Sequence, residues 1–168
     1  LNKDNSGIKC ITINYTELDQ IKNLSENNVH IMVRFPSNEE TIKLIPLVIK
    51  QNIAGIIIDW DFENNQNKID LAICTSEVDN ILRNTRIKTT IARNEINLLV
   101  EGSRVRGAAD IFKLIGLGAD AVGISKAALL SINYDPKKFR NDSNESNFDQ
   151  DKTREKLEYT ILALQKEI

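Results

Sequence analysis

Residues 98–129 contain two consecutive strand–turn–helix patterns, and this pairing constrains the fold more than any other feature of the chain. An apolar strand runs into a small-residue turn at Gly102 and Ser103, and a short helical pattern follows. Gly118-Ala119-Asp120 then leads into a second apolar strand, which ends at the turn Gly123–Lys126. Two adjacent units of this kind build the phosphate-binding corner of a (β/α)8 barrel.

The small residues at these turns suit an anion site. A phosphate must approach the main chain closely, and backbone N–H groups with the positive end of the following helix then supply the field. We therefore predict that five residues hold the phosphate of a small-molecule anion: Gly102, Ser103, Gly123, Ser125 and Lys126. The competing interpretation is that both turns are merely tight connections. The sequence identifies no catalytic residue, and its two cysteines do not have the spacing of metal ligands.

Four apolar segments alternate with helical patterns along the chain and predict its strands. They are residues 29–35, 54–60, 97–101 and 121–124. The nearly continuous apolar run at 54–60 is typical of a strand buried on both faces of a parallel sheet. We predict an α/β fold with these strands parallel and adjacent in chain order and with helices outside. With 168 residues the chain is shorter than a complete barrel, which takes about 250. The expected architecture is therefore the C-terminal half of a (β/α)8 TIM barrel.

We divide the chain into three segments. Residues 1–132 form the half-barrel that carries the corner, 133–152 form a polar loop, and 153–168 form an amphipathic C-terminal helix. Another helix is predicted over Leu71–Leu82, with an extension toward Ile91 left open.

Half a barrel has two open strand edges and an uncovered apolar face, which natural proteins avoid. We therefore expect this chain, which begins at Leu1 and not at Met, to pair with a missing N-terminal half-barrel. That half lies either on the same chain or on another subunit.

Charge and hydropathy exclude several classes of partner. The 22 basic and 24 acidic residues nearly balance, and no basic stripe alternates with aromatic residues, so nucleic-acid binding has no support. No apolar run reaches the roughly 18 residues of a membrane span, and no signal peptide is evident. We interpret Cys10 and Cys74 as buried thiols in a reducing compartment, and expect a cytoplasmic protein.

The segments Val100–Gly107 and Leu117–Leu129 resemble the flavin mononucleotide (FMN) domain of the glutamate synthase family in register and spacing. The resemblance implies an FMN-dependent oxidoreductase of amino-acid biosynthesis, in which the flavin reduces 2-iminoglutarate, formed from 2-oxoglutarate and ammonia or glutamine, to glutamate. Arg34 stands where the family has a lysine that contacts the flavin ring, and so joins the cofactor-binding candidates. The alternative for Arg34 is an ion pair with an acid such as Asp59.

The chain also departs from the family pattern. The family has glycine at the position of Ser103, and a glycine-rich loop where residues 61–67 contain none. Residues 133–151 contain no cysteine, so the resemblance implies no iron–sulfur cluster in this segment. Two alternatives to a flavin enzyme therefore stay open. One is a non-catalytic glutamate-synthase-like scaffold or regulatory subunit, and the other is a TIM-barrel enzyme for a different phosphate ligand.

Charged residues beside the corner have two interpretations each. Asp59 and Asp61 flank Trp60 at the end of a strand, and we interpret them as solvated turn acids rather than as a catalytic pair. Arg104 and Arg106 either steer an anion toward the corner or belong to a solvated start of a helix.

Overall fold

A computed structural model describes residues 9–25, 29–63, 67–132 and 150–167. The strands in these segments are β1 (Cys10–Asn14), β2 (His30–Pro36), β3 (Gly55–Asp59), β4 (Arg86–Ile87), β5 (Thr90–Ile91), β6 (Asn97–Glu101) and β7 (Ala121–Gly123). Five of them form one sheet in the order β1-β2-β3-β6-β7, and every neighbouring pair in it is parallel.

Helices follow the strands of this sheet. They are α1 (Ile21–Ser25), α2 (Glu39–Val48), α3 (Leu71–Asn84), α4 (Ala108–Gly116), α5 (Ser125–Ser131) and α6 (Gln150–Glu167). Short polar side chains define where two of them begin. Asn38 accepts a hydrogen bond from the Thr41 N–H at the start of α2, and Asp70 accepts one from the Ala72 N–H at the start of α3.

The predicted parallel order of the four apolar segments is confirmed, and β1 adds a fifth strand at one edge. The core lies between one face of the sheet and the helices. The strands contribute Val33, Phe35, Ile56, Ile58, Leu98 and Val100, and helices α2 and α3 contribute Ile45, Val48, Val78 and Leu82. Because side chains alternate across a strand, every second residue of each apolar run faces the helices.

The opposite face of the sheet positions the candidate site. Met32 lies over Gly55 at one end of this face, where a Cβ on the glycine would be 2.6 Å from the Met32 sulfur. Residues in register then change from apolar to charged toward the carboxyl ends of the strands. Ile57 pairs with Leu99, and two residues later Asp59 pairs with Glu101. In a barrel, chemistry sits at this carboxyl end.

The chain between α3 and β6 does not continue the helix toward Ile91, an extension that the sequence left open. Helix α3 ends at Asn84, and Thr85 adopts an extended conformation (φ −106°, ψ 140°). An antiparallel hairpin of β4 and β5 follows, with Lys88 at φ +54°. Two-residue strands are too short to give a hydrophobic period, so the sequence pattern did not distinguish this hairpin from a continuing helix.

Two other predictions differ in detail. Cys74 is buried, and this burial raises its pKa to about 11, but Cys10 is exposed on the edge strand β1, so the interpretation of both cysteines as buried is wrong for Cys10. Helix α6 begins at Gln150, three residues before the predicted start, and the rest of the predicted polar loop lies outside the described residues. Within the described segments, no helix combines the length and apolarity that a bilayer span requires.

Candidate functional site

Parallel pairing brings the candidate residues to one edge of the sheet. Pro36, Asp59, Glu101 and Gly123 are in register at the carboxyl ends of β2, β3, β6 and β7. Arg34 lies two residues before the end of β2, and the Gly102–Ser103 turn directly follows β6. The sheet therefore assembles most of the predicted site, as the barrel interpretation requires.

Arg34 is bound by two carboxylates of the chain. Its Nη2 lies 2.8 Å from Glu101 Oε1, and its Nη1 lies 3.8 Å from Asp59 Oδ2. Its Nε is buried and has no hydrogen-bond partner among the residues that the structure describes. The predicted alternative of an ion pair with Asp59 describes what the guanidinium does here, and Glu101 is a closer partner that the sequence did not indicate.

Burial makes ionisation of these two carboxyl groups less favourable. The pKa of Asp59 is raised above its ordinary value, mainly by desolvation, while a hydrogen bond from the Asp61 N–H and the charge of Arg34 act in the opposite direction. The pKa of Glu101 is raised mainly by desolvation too, again against the effect of Arg34. The charge of Asp61 raises both pKa values further, and the charge of Asp59 also raises that of Glu101, so this edge of the sheet is rich in negative charge.

The Gly102–Ser103 turn is closed by other parts of the same chain. Gly102 has φ +130°, and a Cβ there would lie 2.6 Å from Trp60 Cβ and 3.1 Å from the Trp60 nitrogen. The Ser103 N–H donates to Asp61 Oδ2 at 2.6 Å, and the Ser103 hydroxyl donates to Asp61 Oδ1 at 2.7 Å. Glycine is required at position 102 because the Trp60 backbone approaches it closely. The two donors of Ser103 are already bound to Asp61.

The second turn is similarly constrained. A Cβ on Gly123 would lie 2.9 Å from Glu101 Cβ, so the neighbouring strand fills the space that the glycine leaves. Ser125 begins α5 and is exposed, and Lys126 follows it in the same helix. With seven residues, α5 is a short helix, and it supplies a correspondingly weak field at its start.

Trp60, the single tryptophan of the chain, follows β3 beside the Gly102–Ser103 turn and contacts two cations. The Lys68 ammonium is 4.9 Å from its ring centroid, and the Arg104 guanidinium carbon is 4.7 Å from it. Lys68 also donates to the Trp60 carbonyl at 3.1 Å. Arg104 thus has an aromatic partner, which neither of its predicted roles included.

A cleft of about 360 Å³ runs between the loop after β6 and helix α5. It is lined by Ser103, Arg104, Val105, Arg106, Ala127 and Leu130. Its position corresponds to the space between the two predicted turns, and its two arginines give it positive character. A separate cleft of about 200 Å³ lies between the starts of α3 and α4.

Sequence reasoning missed the part played by Asp61. We interpreted it as a solvated acid, and it is exposed, yet it binds both donors of Ser103 across 42 residues of sequence. The available signal was its place one residue after β3, at the same sheet edge as the Gly102–Ser103 turn. Within the described part of the chain, no three acidic, histidine or cysteine side chains are arranged as a metal site.

Comparison with known proteins adds three findings. Residues 8–164 match the family model of the glutamate synthase central domain. A 64-residue stretch is 39% identical to the archaeal-type glutamate synthase [NADPH] of Dehalococcoides mccartyi, a match that covers 38% of this chain and 12% of that protein. The YdjI aldolase of Escherichia coli K12 matches in structure with a TM-score of 0.51 and 10% identity, over 95% of this chain and 59% of the aldolase. At that identity the aldolase informs the fold alone.

Proposed function

Because this chain belongs to the glutamate synthase family, through its match to the central domain, we propose that it is a non-catalytic barrel half of a glutamate synthase-type protein. One observation carries the proposal. The donor groups of Arg34 and Ser103 that were predicted to bind FMN are bound to carboxylates of the chain itself. The family and the partial TIM barrel predicted from the sequence are both confirmed. The predicted flavin chemistry depends on whether the corner can bind FMN.

FMN does not fit the corner in this conformation. Its phosphate would have to take the place of the Asp61 carboxylate on Ser103, with Asp59 and Glu101 nearby. Two like charges about 4 Å apart repel by roughly 4 kcal/mol near a protein surface. A hydrogen bond to a charged group contributes about 1.5–3 kcal/mol. The two Ser103 donors therefore gain little by exchanging Asp61 for a phosphate that keeps Asp61 as a neighbour.

The ion pair between Arg34 and Glu101 supports the same conclusion. Arg34 would have to leave Glu101 to contact a flavin, and Glu101 would then be a half-buried carboxylate without its cation. Breaking such a pair by removing one partner is unfavourable. We therefore assign no step of 2-iminoglutarate reduction to these residues.

The cleft beside Ser103 favours a second candidate function. Its volume of about 360 Å³ and its lining by Arg104 and Arg106 suit an anionic small molecule. Both an FMN-dependent oxidoreductase and a barrel enzyme for another phosphate ligand would use this cleft. A titration with FMN distinguishes the flavin enzyme from the scaffold, since Trp60 and Ser103 lie beside the space that a phosphate would enter.

The rest of the barrel is the partner that this proposal requires. Strands β1 and β7 end the sheet, and the chain spans 59% of the aldolase chain whose fold it shares. Ile11 on the edge strand β1 is 38% exposed. A second set of strands, from a preceding segment or another subunit, would pair with these edges. It would also cover the face of the sheet that carries Arg34, Asp59 and Glu101.

We expect sedimentation equilibrium to show that the chain associates, either with itself or with a separately expressed complementary half-barrel. Ile11→Lys places a charge on the edge strand and should weaken this association about tenfold or more. Tyr159→Ser, at an exposed site on the outer helix α6, should leave it unchanged. A folded monomer that does not bind the complementary half-barrel would contradict the proposed partner.

A further inference from the structure

Asp61 is bound as an external anion would be bound. Its two carboxylate oxygens accept from two different donors of one residue, the Ser103 N–H at 2.6 Å and the Ser103 hydroxyl at 2.7 Å. The residues are 42 positions apart, so no local turn geometry dictates the contact. Backbone N–H and hydroxyl donors converging on a carboxylate form the same kind of cradle that holds a phosphate.

Two cations near this contact offset part of the negative charge that Asp59 and Glu101 bring to the same edge of the sheet. Lys68 and Arg104 both lie within 5 Å of the Trp60 ring centre, next to the Asp61 backbone. Ser103 itself lines the cleft of about 360 Å³, so an external ligand can reach its donors without passing through the core. Asp61 is exposed, while its backbone N–H is held by Asp59 Oδ1 at 2.8 Å. The loop is thus fixed in place independently of the carboxylate.

We propose that Asp61 determines the ligand specificity of this corner by occupying the Ser103 donors with its own carboxylate and thereby excluding phosphate. This inference rests on the proposed scaffold function and deepens it, because it names the residue that keeps the corner closed. Its consequence is that a chain with a small neutral residue at position 61 binds inorganic phosphate. The donors, the neighbouring cations and the cleft are all present without that side chain.

Asp61→Ala is the test variant, and Glu63→Gln is its matched control. Both remove one negative charge from the same exposed loop, but among the contacts of the described residues only Asp61 bonds to Ser103. Titration with inorganic phosphate, followed by Trp60 emission, reports on the site because Trp60 contacts Gly102. We expect phosphate to bind Asp61→Ala at least about tenfold more tightly than the wild-type chain, and Glu63→Gln to behave as wild type.

Three further experiments separate a ligand site from a structural contact. Phosphate should raise the melting midpoint of Asp61→Ala by about 3 °C or more and leave that of the wild-type chain unchanged. Acetate supplies a carboxylate that is not attached to the chain. It should compete with phosphate for the Ser103 donors in Asp61→Ala. Asp61→Ala combined with Ser103→Ala should lose most of the gained affinity, because one of the two donors is then missing.

The inference is overturned if a folded Asp61→Ala chain binds phosphate no better than wild type, or if Glu63→Gln gains as much affinity. FMN binding by the wild-type chain is a different result. It would contradict the scaffold function, whatever the phosphate titration of the variant shows. Comparing phosphate with FMN in the Asp61→Ala chain then distinguishes a site for free phosphate from one that also accepts the flavin.

Discussion

Replacing Gly118 with alanine is expected to destabilise the chain by about 3–4 kcal/mol. Gly118 has φ +109°, a conformation that side chains with a Cβ rarely adopt. A Cβ there would also lie 2.6 Å from the Cβ of Asp79 and overlap its carboxyl carbon. Asp79 cannot move away cheaply, since Arg83 and Arg93 each donate to it. Urea unfolding measures the effect.

Gly116→Ala is the matched control, two residues earlier at the end of α4. Apart from the adjacent residues and the backbone of α4 itself, no atom of the described segments lies within 4 Å of the Cβ that this substitution would add. Because alanine also restricts the unfolded chain, we expect stability to be unchanged or to rise by about 0.5 kcal/mol. Equal losses from the two substitutions would mean that the contact with Asp79 does not determine the need for glycine at position 118.

The second large effect is expected for Arg93→Ala, at about 3 kcal/mol. Arg93 joins three parts of the fold. Its Nε donates to Asp79 Oδ1 at 2.7 Å, and its Nη2 donates to Asp120 Oδ1 at 2.7 Å and to the Gly118 carbonyl at 2.8 Å. Its side chain is only 15% exposed. Removing it therefore takes a donor from the Asp79 carboxylate, which is only 11% exposed, and also from the more exposed Asp120 carboxylate.

Arg83→Ala tests the same carboxylate from its solvent side. The Arg83 side chain is 61% exposed, so its ion pair with Asp79 should contribute less than about 1 kcal/mol. Comparable losses from the two arginine substitutions would contradict the role assigned to Arg93.

The effect of Arg93→Ala should also depend on pH. Burial raises the pKa of Asp120, but hydrogen bonds from Arg93 and from the Leu98 N–H outweigh it, and the pKa is lower than usual. The stability that this lowered pKa represents is present at neutral pH and is lost as the pH falls through the folded-state pKa. The difference in the free energy of unfolding between wild type and Arg93→Ala should therefore narrow as the pH falls below about 3.9, the ordinary pKa of an aspartate.

The parallel sheet could be predicted because buried strands have a simple composition. Residues 54–60 and 97–101 are apolar runs, and links containing helical patterns leave parallel pairing as the natural connection. The hairpin of Arg86–Ile87 with Thr90–Ile91 could not be predicted in the same way. Its strands have two residues each, and its turn uses a positive φ at Lys88 in place of glycine.

That the candidate residues lie at one edge of the sheet was also predictable, but the contact between Asp61 and Ser103 was not. A glycine after a strand indicates that something approaches the main chain, and Gly102 meets the Trp60 backbone where we expected a phosphate. The binding of Asp61 to Ser103 depends on two loops meeting across the sheet. A single sequence shows that both residues follow strands, but the pairing of one particular acid with one particular donor is a tertiary contact that has no periodic signal.

We conclude that the chain is a barrel half whose corner does not bind flavin. Equilibrium dialysis against FMN is the direct test of this conclusion. Riboflavin, which lacks the phosphate, serves as the ligand control, and Arg34→Ala and Asp61→Ala serve as the protein variants. We predict less than about 0.1 FMN per wild-type chain at about 100 µM free flavin, with no difference from riboflavin. Saturable binding of one FMN per chain, weaker for riboflavin and weakened by Arg34→Ala, would contradict the account.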